Sequence, residues 1–289
     1  MTSSTMSRFL AALTTREGAV IAAPLVLGLA GMLALFSGPA PATEPQPLLR
    51  LAQAATPAAP AAPSTFSAAQ RAEIEGIIKN YLLNHPEVML EVSKELEKRQ
   101  SSMQAENAKK TILERKASIF KAPGDFVLGN VKGEISVVEF FDYNCGWCKK
   151  AVDEVNKLTK ADPQVRVVMK ELPIFGENST IAAKAAMASV RQGKYWDFHI
   201  ALMKEKQVTK DNIFKIAEKV GLNVEKLKTD MADPAIDAAL KENASLAQEL
   251  GIEGTPGFVI DSRVNVGFVP AEGIREILAD VRKQGCQAC

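Results

Sequence analysis

The sequence predicts an α/β fold in which a strand–helix–strand unit is separated by a long helical block from a closing strand pair and helix. Three observations carry this. Two apolar runs rich in β-branched and aromatic residues, "ISVVEFFDY" and "VRVVMKELP", flank "CKKAVDEVNKLT", whose apolar residues at 151, 152, 155 and 158 follow helical spacing. The stretch from about Ser179 to Glu249 is helical in pattern and lacks convincing strands. "GFVI" and "VNVGFV" then return to strand, and "AEGIREILADVRK" closes with a helix. That order is an α/β sandwich with an inserted helical block.

Taken from the start, the 289-residue chain opens with Arg8 and Arg16 before an almost uninterrupted apolar segment, Ala19 to Phe36. It is about long enough to span a bilayer and is followed by small residues and prolines. Residues 1–42 therefore read either as a secretory signal or as an uncleaved anchor with its positive end inside. Both readings export the rest of the chain, and disulfides persist outside the cytosol. Nearly half of the fifteen prolines fall between Ser37 and Ser64, where aromatics are absent, so residues 43–65 are a semi-extended tether. With a formal net charge of +1 and no basic stripe interleaved with aromatics, the chain is not a general nucleic-acid binder.

Residues 66–118 form a helical segment. "SAAQ" at Ser67 offers a capping box, and Ile74, Ile77, Ile78, Tyr81 and Leu82 follow helical spacing. Pro86 ends that helix and suits the first turn of another, striped by Val88, Met89, Val92 and Leu96. From Glu97 to Thr111 the sequence is polar almost all round, the pattern of a solvated spacer. The helical pair is expected either to dock on the main domain or to meet copies of itself. The main domain spans 119–285, with the helical insertion at about 177–249, and a CxxC tail occupies 286–289.

The chemistry centres on "CGWC". Cys145 falls at the first turn of a helix, where unpaired N–H groups and the helix dipole stabilise a thiolate. Cys148, one turn further in, is placed to resolve a mixed disulfide on Cys145. A zinc site shared with Cys286 and Cys289 is a weaker reading, because the spacing between the pairs far exceeds that of ribbons or fingers. Glu139 interrupts a strand apolar on both faces, which is uncommon for a carboxylate that is neither paired nor functional. It reads as a proton acceptor for Cys148 or as a strand-edge residue with its head in water, and Lys170 as its cationic partner or as a surface lysine. Thr255-Pro256 precedes a strand; a cis bond there would present the Thr255 backbone to a substrate peptide, and a trans-proline turn is the alternative.

"VVEFFDYNCGWCK", "VMKELPIFG", "YWDFHIALM" and "GIEGTPGFVI", in that order over roughly Phe126 to Lys283, resemble the DsbA-like branch of thioredoxin-fold thiol-disulfide oxidoreductases. The resemblance implies a thioredoxin fold with an inserted helical block, preceded by a helical N-terminal segment. It also implies a nucleophilic Cys145, a resolving Cys148, a buried acid at Glu139 with its basic neighbour Lys170, and Thr255 before a cis Pro256. Trp196 and His199 match the family's pattern as packing of the helical block.

Gly146 and Trp147 replace the histidine of the strongly oxidising members. An aromatic there, with Thr255 before the proline, is similar to the disulfide isomerases, so Gly146, Trp147, Thr255 and Pro256 are the expected substrate-contacting residues. "AEIEGIIKNYLLNHPEVMLEVSKELEKRQ" resembles the N-terminal segment of ScsC-like proteins, which implies a homotrimer through residues 67–111. The expected partners are unfolded or misdisulfided exported client proteins and a membrane redox partner, in the periplasm, with no cofactor and no resident metal. For Cys286 and Cys289 a short-loop disulfide, free thiols, a copper(I) ligand pair and an electron shuttle to Cys145 remain open, on a tail expected to be mobile.

Overall fold

The computed structural model describes residues 65–289. The apolar segment 19–36 and all but the last residue of the 43–65 linker lie outside the described residues. Ser67 opens α1 (Ala68–Asn84) with both halves of a capping box: its hydroxyl accepts the Gln70 N–H at 3.3 Å, and the Gln70 side chain accepts the Ser67 N–H at 2.8 Å. α2 (Glu87–Glu114) follows as a single helix of 28 residues. The polar stretch 97–111 is therefore continuous with the apolar pair and is not only a solvated spacer, since its last turns bury Ala108 and Ile112. Arg115 then donates from one nitrogen to both oxygens of Glu249 at 2.8 Å, and from another to Glu242 at 2.6 Å. α1, by contrast, buries no residue at all.

α3 (Lys116–Phe120) leads into a five-stranded mixed sheet of order β1-β3-β2-β4-β5. Its strands are β1 (Phe126–Gly129), β2 (Ile135–Phe141), β3 (Val165–Glu171), β4 (Gly257–Ile260) and β5 (Arg263–Val266). Only β2 and β3 are parallel, and α4 (Gly146–Ala161) is the crossover a parallel pair requires. Between β3 and β4 lie α5 (Glu177–Ser189), α6 (Tyr195–Lys204), α7 (Ile213–Lys219), α8 (Val224–Met231) and α9 (Pro234–Glu249). α10 (Ala271–Gln284) closes the fold.

All seven residues of β2 are buried, as expected of a central strand covered on both faces. Alternation of side chains divides them between two layers. Ile135, Val137 and Phe141 share one with Val155 and Leu158 of α4, Phe198 of α6 and Leu278 of α10. Val138 and Phe140 share the other with Ile119 and Phe120 of α3 and Leu246 of α9. This parity decides which side chains can meet the cysteines.

Candidate active site

β2 delivers the chain to α4 at its N-terminal end, and Cys145 is the residue that caps the helix. Its backbone is extended (φ −80, ψ 120), and its Sγ accepts the Cys148 N–H at 3.4 Å. Both cysteines are free thiols; Cys148 is fully buried and Cys145 is 4% exposed. Across from them the Thr255–Pro256 bond is cis, and the Cys145 thiol donates to the Thr255 carbonyl at 3.2 Å. The two sulfurs are electrostatically unlike. The Cys148 thiol, as a donor to Cys145, is the largest cause lowering Cys145 from 9.0 to about 5, against the opposing effect of burial. The Thr255 hydroxyl and the N–H groups of Cys148 and Trp147 lower it further. Among the described residues that hydroxyl has no other hydrogen-bond partner, so it is available to donate once Cys145 is a thiolate. Cys148 is pushed strongly upward, first by burial and then by donating to Cys145, with the charge of Glu139 adding to both.

Glu139 lies on the α4 face of β2, between Met169 and Phe258 of the flanking strands. It is 1% exposed, and among the described residues neither carboxylate oxygen has a hydrogen-bond partner. Burial, and secondarily the Cys145 thiolate, raise it from 4.5 to about 8. The reading of Glu139 as a strand-edge residue with a solvated head does not fit this environment.

Lys170 is not its partner. In the parallel register Lys170 stands opposite Phe140, so its side chain enters the other layer of the sheet. There the fully buried ammonium lies 2.7 Å from Asp125 and donates to the Ser118 carbonyl at 2.7 Å. A buried cation needs such partners whatever its role, and these two account for it. The surface reading of Lys170 fails equally.

Several supporting residues escaped the sequence reading. Asp142, immediately after β2, accepts from the N–H groups of Asn144 (2.7 Å), Ile174 (2.8 Å) and Phe175 (3.1 Å) and from the Ser179 hydroxyl (2.7 Å). It thereby ties the Cys145 loop to the loop after β3. Asn144 adds bonds to Ser179 and to both backbone groups of Val208. Glu171, on the α4 face, accepts from Tyr143 (3.0 Å) and Tyr195 (2.8 Å), and burial raises its carboxyl well above the usual range. His199, which the sequence did single out together with Trp196 as packing, stacks on that ring at 5.0 Å and is lowered to about 3 by burial, which keeps it neutral. An acid closing an apolar strand was the available signal for Asp142 and Glu171, but it cannot say what the acid meets.

The mouth of the site is apolar. Trp147 is 55% exposed, stands 5.6 Å from Phe268 and carries Lys150 4.2 Å above its ring. With Thr255 and Gly267 these aromatics line a shallow groove beside Cys145. A Cβ on Gly146 would meet nothing within 4 Å, so the space over the first turn is open.

Cys286 and Cys289 form a disulfide. Their tail is docked rather than loose: the Gln287 and Ala288 N–H groups each donate to Asp261 at 2.7 Å, and Ala288 is buried. Asp261 follows β4 at the end opposite Thr255, roughly 15–20 Å away at the rise of a strand. The two CxxC pairs therefore cannot share a metal ion, and the docked tail cannot exchange directly with Cys145 in the same chain.

A mixed five-stranded sheet, a CxxC at the start of its crossover helix and an X–cis-Pro facing that motif define a thioredoxin-fold protein with a thiol–disulfide site. Residues 136–279 match the DSBA-like thioredoxin domain, to whose family the chain belongs, and residues 70–101 match the copper resistance protein ScsC N-terminal domain. A thioredoxin-like oxidoreductase from Silicibacter pomeroyi DSS-3 is 44% identical, with a TM-score of 0.57 over 58% of this chain and 97% of that one. The thiol-disulfide exchange protein alpha-DsbA2 from Wolbachia pipientis is 26% identical, with a TM-score of 0.57 over 62% and 98%. Among curated proteins, the Na(+)/H(+) antiporter NhaA 3 of Salinispora tropica is 27% identical over 146 residues, 50% of this chain. The chain spans only 22% of that antiporter, so the likeness concerns a part of it and conveys no transport activity. Among the described residues no helix is long and apolar enough to cross a membrane.

Proposed function

We propose that the chain is an exported thiol-disulfide oxidoreductase that exchanges disulfides with client proteins through Cys145 and Cys148, and that it works as a disulfide isomerase and reductase. The observation that carries this is the asymmetry of the two sulfurs: a thiolate lowered to about 5 at the groove, and a buried thiol pushed upward behind it. The Cys145 thiolate attacks a client disulfide, forming a mixed disulfide and releasing one client thiolate. In isomerisation another client thiolate then attacks the client sulfur of that mixed disulfide and frees Cys145. In reduction Cys148 loses its proton and attacks Cys145, which forms the Cys145–Cys148 disulfide and releases the second client thiolate.

Glu139 is the group positioned to take the Cys148 proton. Part of its raised affinity for protons comes from the Cys145 charge, which disappears in the mixed disulfide. The carboxyl then ionises more readily, at the stage when a base beside Cys148 is needed. Lys170, paired in the other layer, has no part in this step.

The apolar groove at Trp147, Thr255 and Phe268 suits unfolded or misdisulfided chains, which expose apolar side chains. Ile77, Ile78, Leu83 and Leu90 of α1 and α2 are each more than half exposed, and this supports a homotrimer through residues 67–111. Several active sites facing one client raise their effective concentration on it. The compartment we propose is the periplasm, with the protein either soluble or tethered by residues 19–36, and with a membrane redox partner to keep Cys145 reduced. A general oxidase is the second reading, favoured by the stabilised Cys145 thiolate, because a stabilised reduced form makes the disulfide form more oxidising.

Reactivation of a scrambled disulfide substrate, set beside oxidation of a reduced one, separates the two. The isomerase reading expects recovery from scrambled substrate. It also expects that deleting residues 67–111 lowers the mass in light scattering to a monomer and removes most of that recovery, while dithiol oxidation persists. Fast oxidation without any recovery leaves the oxidase. Absence of both ends the exchange proposal.

A further inference from the structure

Cys286 and Cys289 lie at the other end of β4 from Cys145 and Cys148, yet they are not isolated. Their Cα atoms are 5.8 Å apart, and both Sγ atoms lie within 4.8 Å of one another and of an Asp261 carboxylate oxygen. Asp261 is 5% exposed and occupies the turn after β4 at φ 52, a conformation that Asp and Asn adopt more readily than most residues. One of its oxygens accepts from the Gln287 and Ala288 N–H groups and stands 3.3 Å from Cys286 Sγ.

The loop is held by more than its sulfur–sulfur bond. Lys116 donates to the Gln287 carbonyl, and Ala288 is buried in the same apolar layer as Ile112, Ile119 and Val259. These contacts, with the two N–H bonds to Asp261, do not depend on the disulfide. When it is reduced, the two thiols stay beside one another and beside the carboxylate.

We propose that reduced Cys286 and Cys289, together with Asp261, form a Zn2+ site that the disulfide closes. Two thiolates and one carboxylate supply three of four tetrahedral positions, and water supplies the fourth. An external dithiol delivers two electrons and two protons to the disulfide and is itself oxidised to a disulfide. Zn2+ then displaces both thiol protons to solvent as the two Zn–S bonds form. The loaded site carries one net negative charge, and the Lys116 ammonium of α3, bonded to the carbonyl of Gln287 between the two cysteines, is a cation at the same loop. Copper(I) is satisfied by two thiolates and gains little from a hard oxygen donor, whereas the buried carboxylate is a ligand of the kind zinc uses. The spacing Cys286-x-x-Cys289 is that of a zinc ligand pair, and the site is independent of Cys145 and Cys148 at the other end of β4.

The test uses the full chain carrying Cys145→Ser/Cys148→Ser, which removes the competing thiols. The protein is reduced with a phosphine, desalted without oxygen, and titrated with ZnCl2 against a chromogenic chelator, with metal content read by mass spectrometry. The proposal expects one Zn2+ per chain in the reduced form and none in the oxidised form. Adding Cys289→Ser, which leaves the Asp261 contacts to the tail in place, abolishes binding. Asp261→Asn keeps an acceptor for the two N–H groups but is a poor ligand, so it weakens binding by on the order of tenfold or more. Reduced protein holding no more zinc than the Cys289→Ser form overturns the site. So does undiminished affinity in Asp261→Asn, or one ion per two chains with a doubled mass. Binding of copper(I) alone, indifferent to Asp261→Asn, overturns the assignment to zinc.

Discussion

Glu139→Gln removes a buried carboxyl and keeps its shape, and its effect on stability can be worked from the position of the residue. Held between Met169 and Phe258 with neither oxygen hydrogen-bonded, the carboxyl rises from 4.5 to about 8. Between those values the unfolded chain is ionised there while the folded chain keeps its proton. The folded state then binds more protons, so this contribution to stability is intact below 4.5 and is lost as pH rises towards 8. At 1.36 kcal/mol per unit, the loss is about 1 kcal/mol at pH 5 and about 3 kcal/mol at pH 7. Gln cannot ionise and escapes it. Urea denaturation of the reduced proteins should therefore show the variant gaining on the parent by about 2 kcal/mol between pH 5 and pH 7, whatever fixed offset the amide introduces. The gain persists, reduced, in a Cys145→Ser background, because burial is the larger cause and the thiolate the smaller. A difference that stays constant between the two pH values refutes the reasoning, since the carboxyl would then ionise as freely in the fold as outside it.

The same residue bears on rate: Glu139→Gln should slow resolution of a mixed disulfide by at least on the order of tenfold, within the span of general-base effects. Normal resolution, followed by trapping and gel mobility, would leave Glu139 a structural residue. Alkylation of Cys145 by iodoacetamide should reach half its maximal rate near pH 5, with Cys148 unlabelled at pH 7. A midpoint above pH 7 contradicts the stabilised thiolate. Lys170→Met strands Asp125 without its cation in a buried site and should cost about 3 kcal/mol of stability. The Cys145 alkylation profile should not move; a shifted profile with unchanged stability would reconnect Lys170 to the cysteines.

Most elements were legible because their signals are local. The capping box at Ser67, the helical stripe at 151, 152, 155 and 158, and the β-branched runs that became β2 and β3 each depend on neighbours a few residues away. The cysteine pair was legible for the same reason, since two residues of spacing at a strand-to-helix junction already fix one turn of helix. Glu139 stood out as a charge inside an apolar strand. Its supposed partner did not survive, because one step of register in β3 sends Lys170 to the other layer and leaves Met169 beside Glu139. Nothing local distinguishes those alternatives.

Asp142 and the docked tail belong to the second kind of information. Asp142 meets Ile174, Phe175 and Ser179, more than thirty residues on, only because β2 and β3 end side by side. Asp261 meets Gln287 and Ala288 only because α10 returns the chain to the far end of β4. By itself the sequence determined the elements, their order and the placing of the cysteine pair at a helix start, since periodicity and helix-terminal chemistry are written in contiguous residues. The tertiary structure decided which buried charges face the cysteines, which face away, and that the two CxxC pairs lie apart within the chain. Strand register and the side of a sheet depend on residues distant in the chain, and a one-residue change of parity exchanges the two faces.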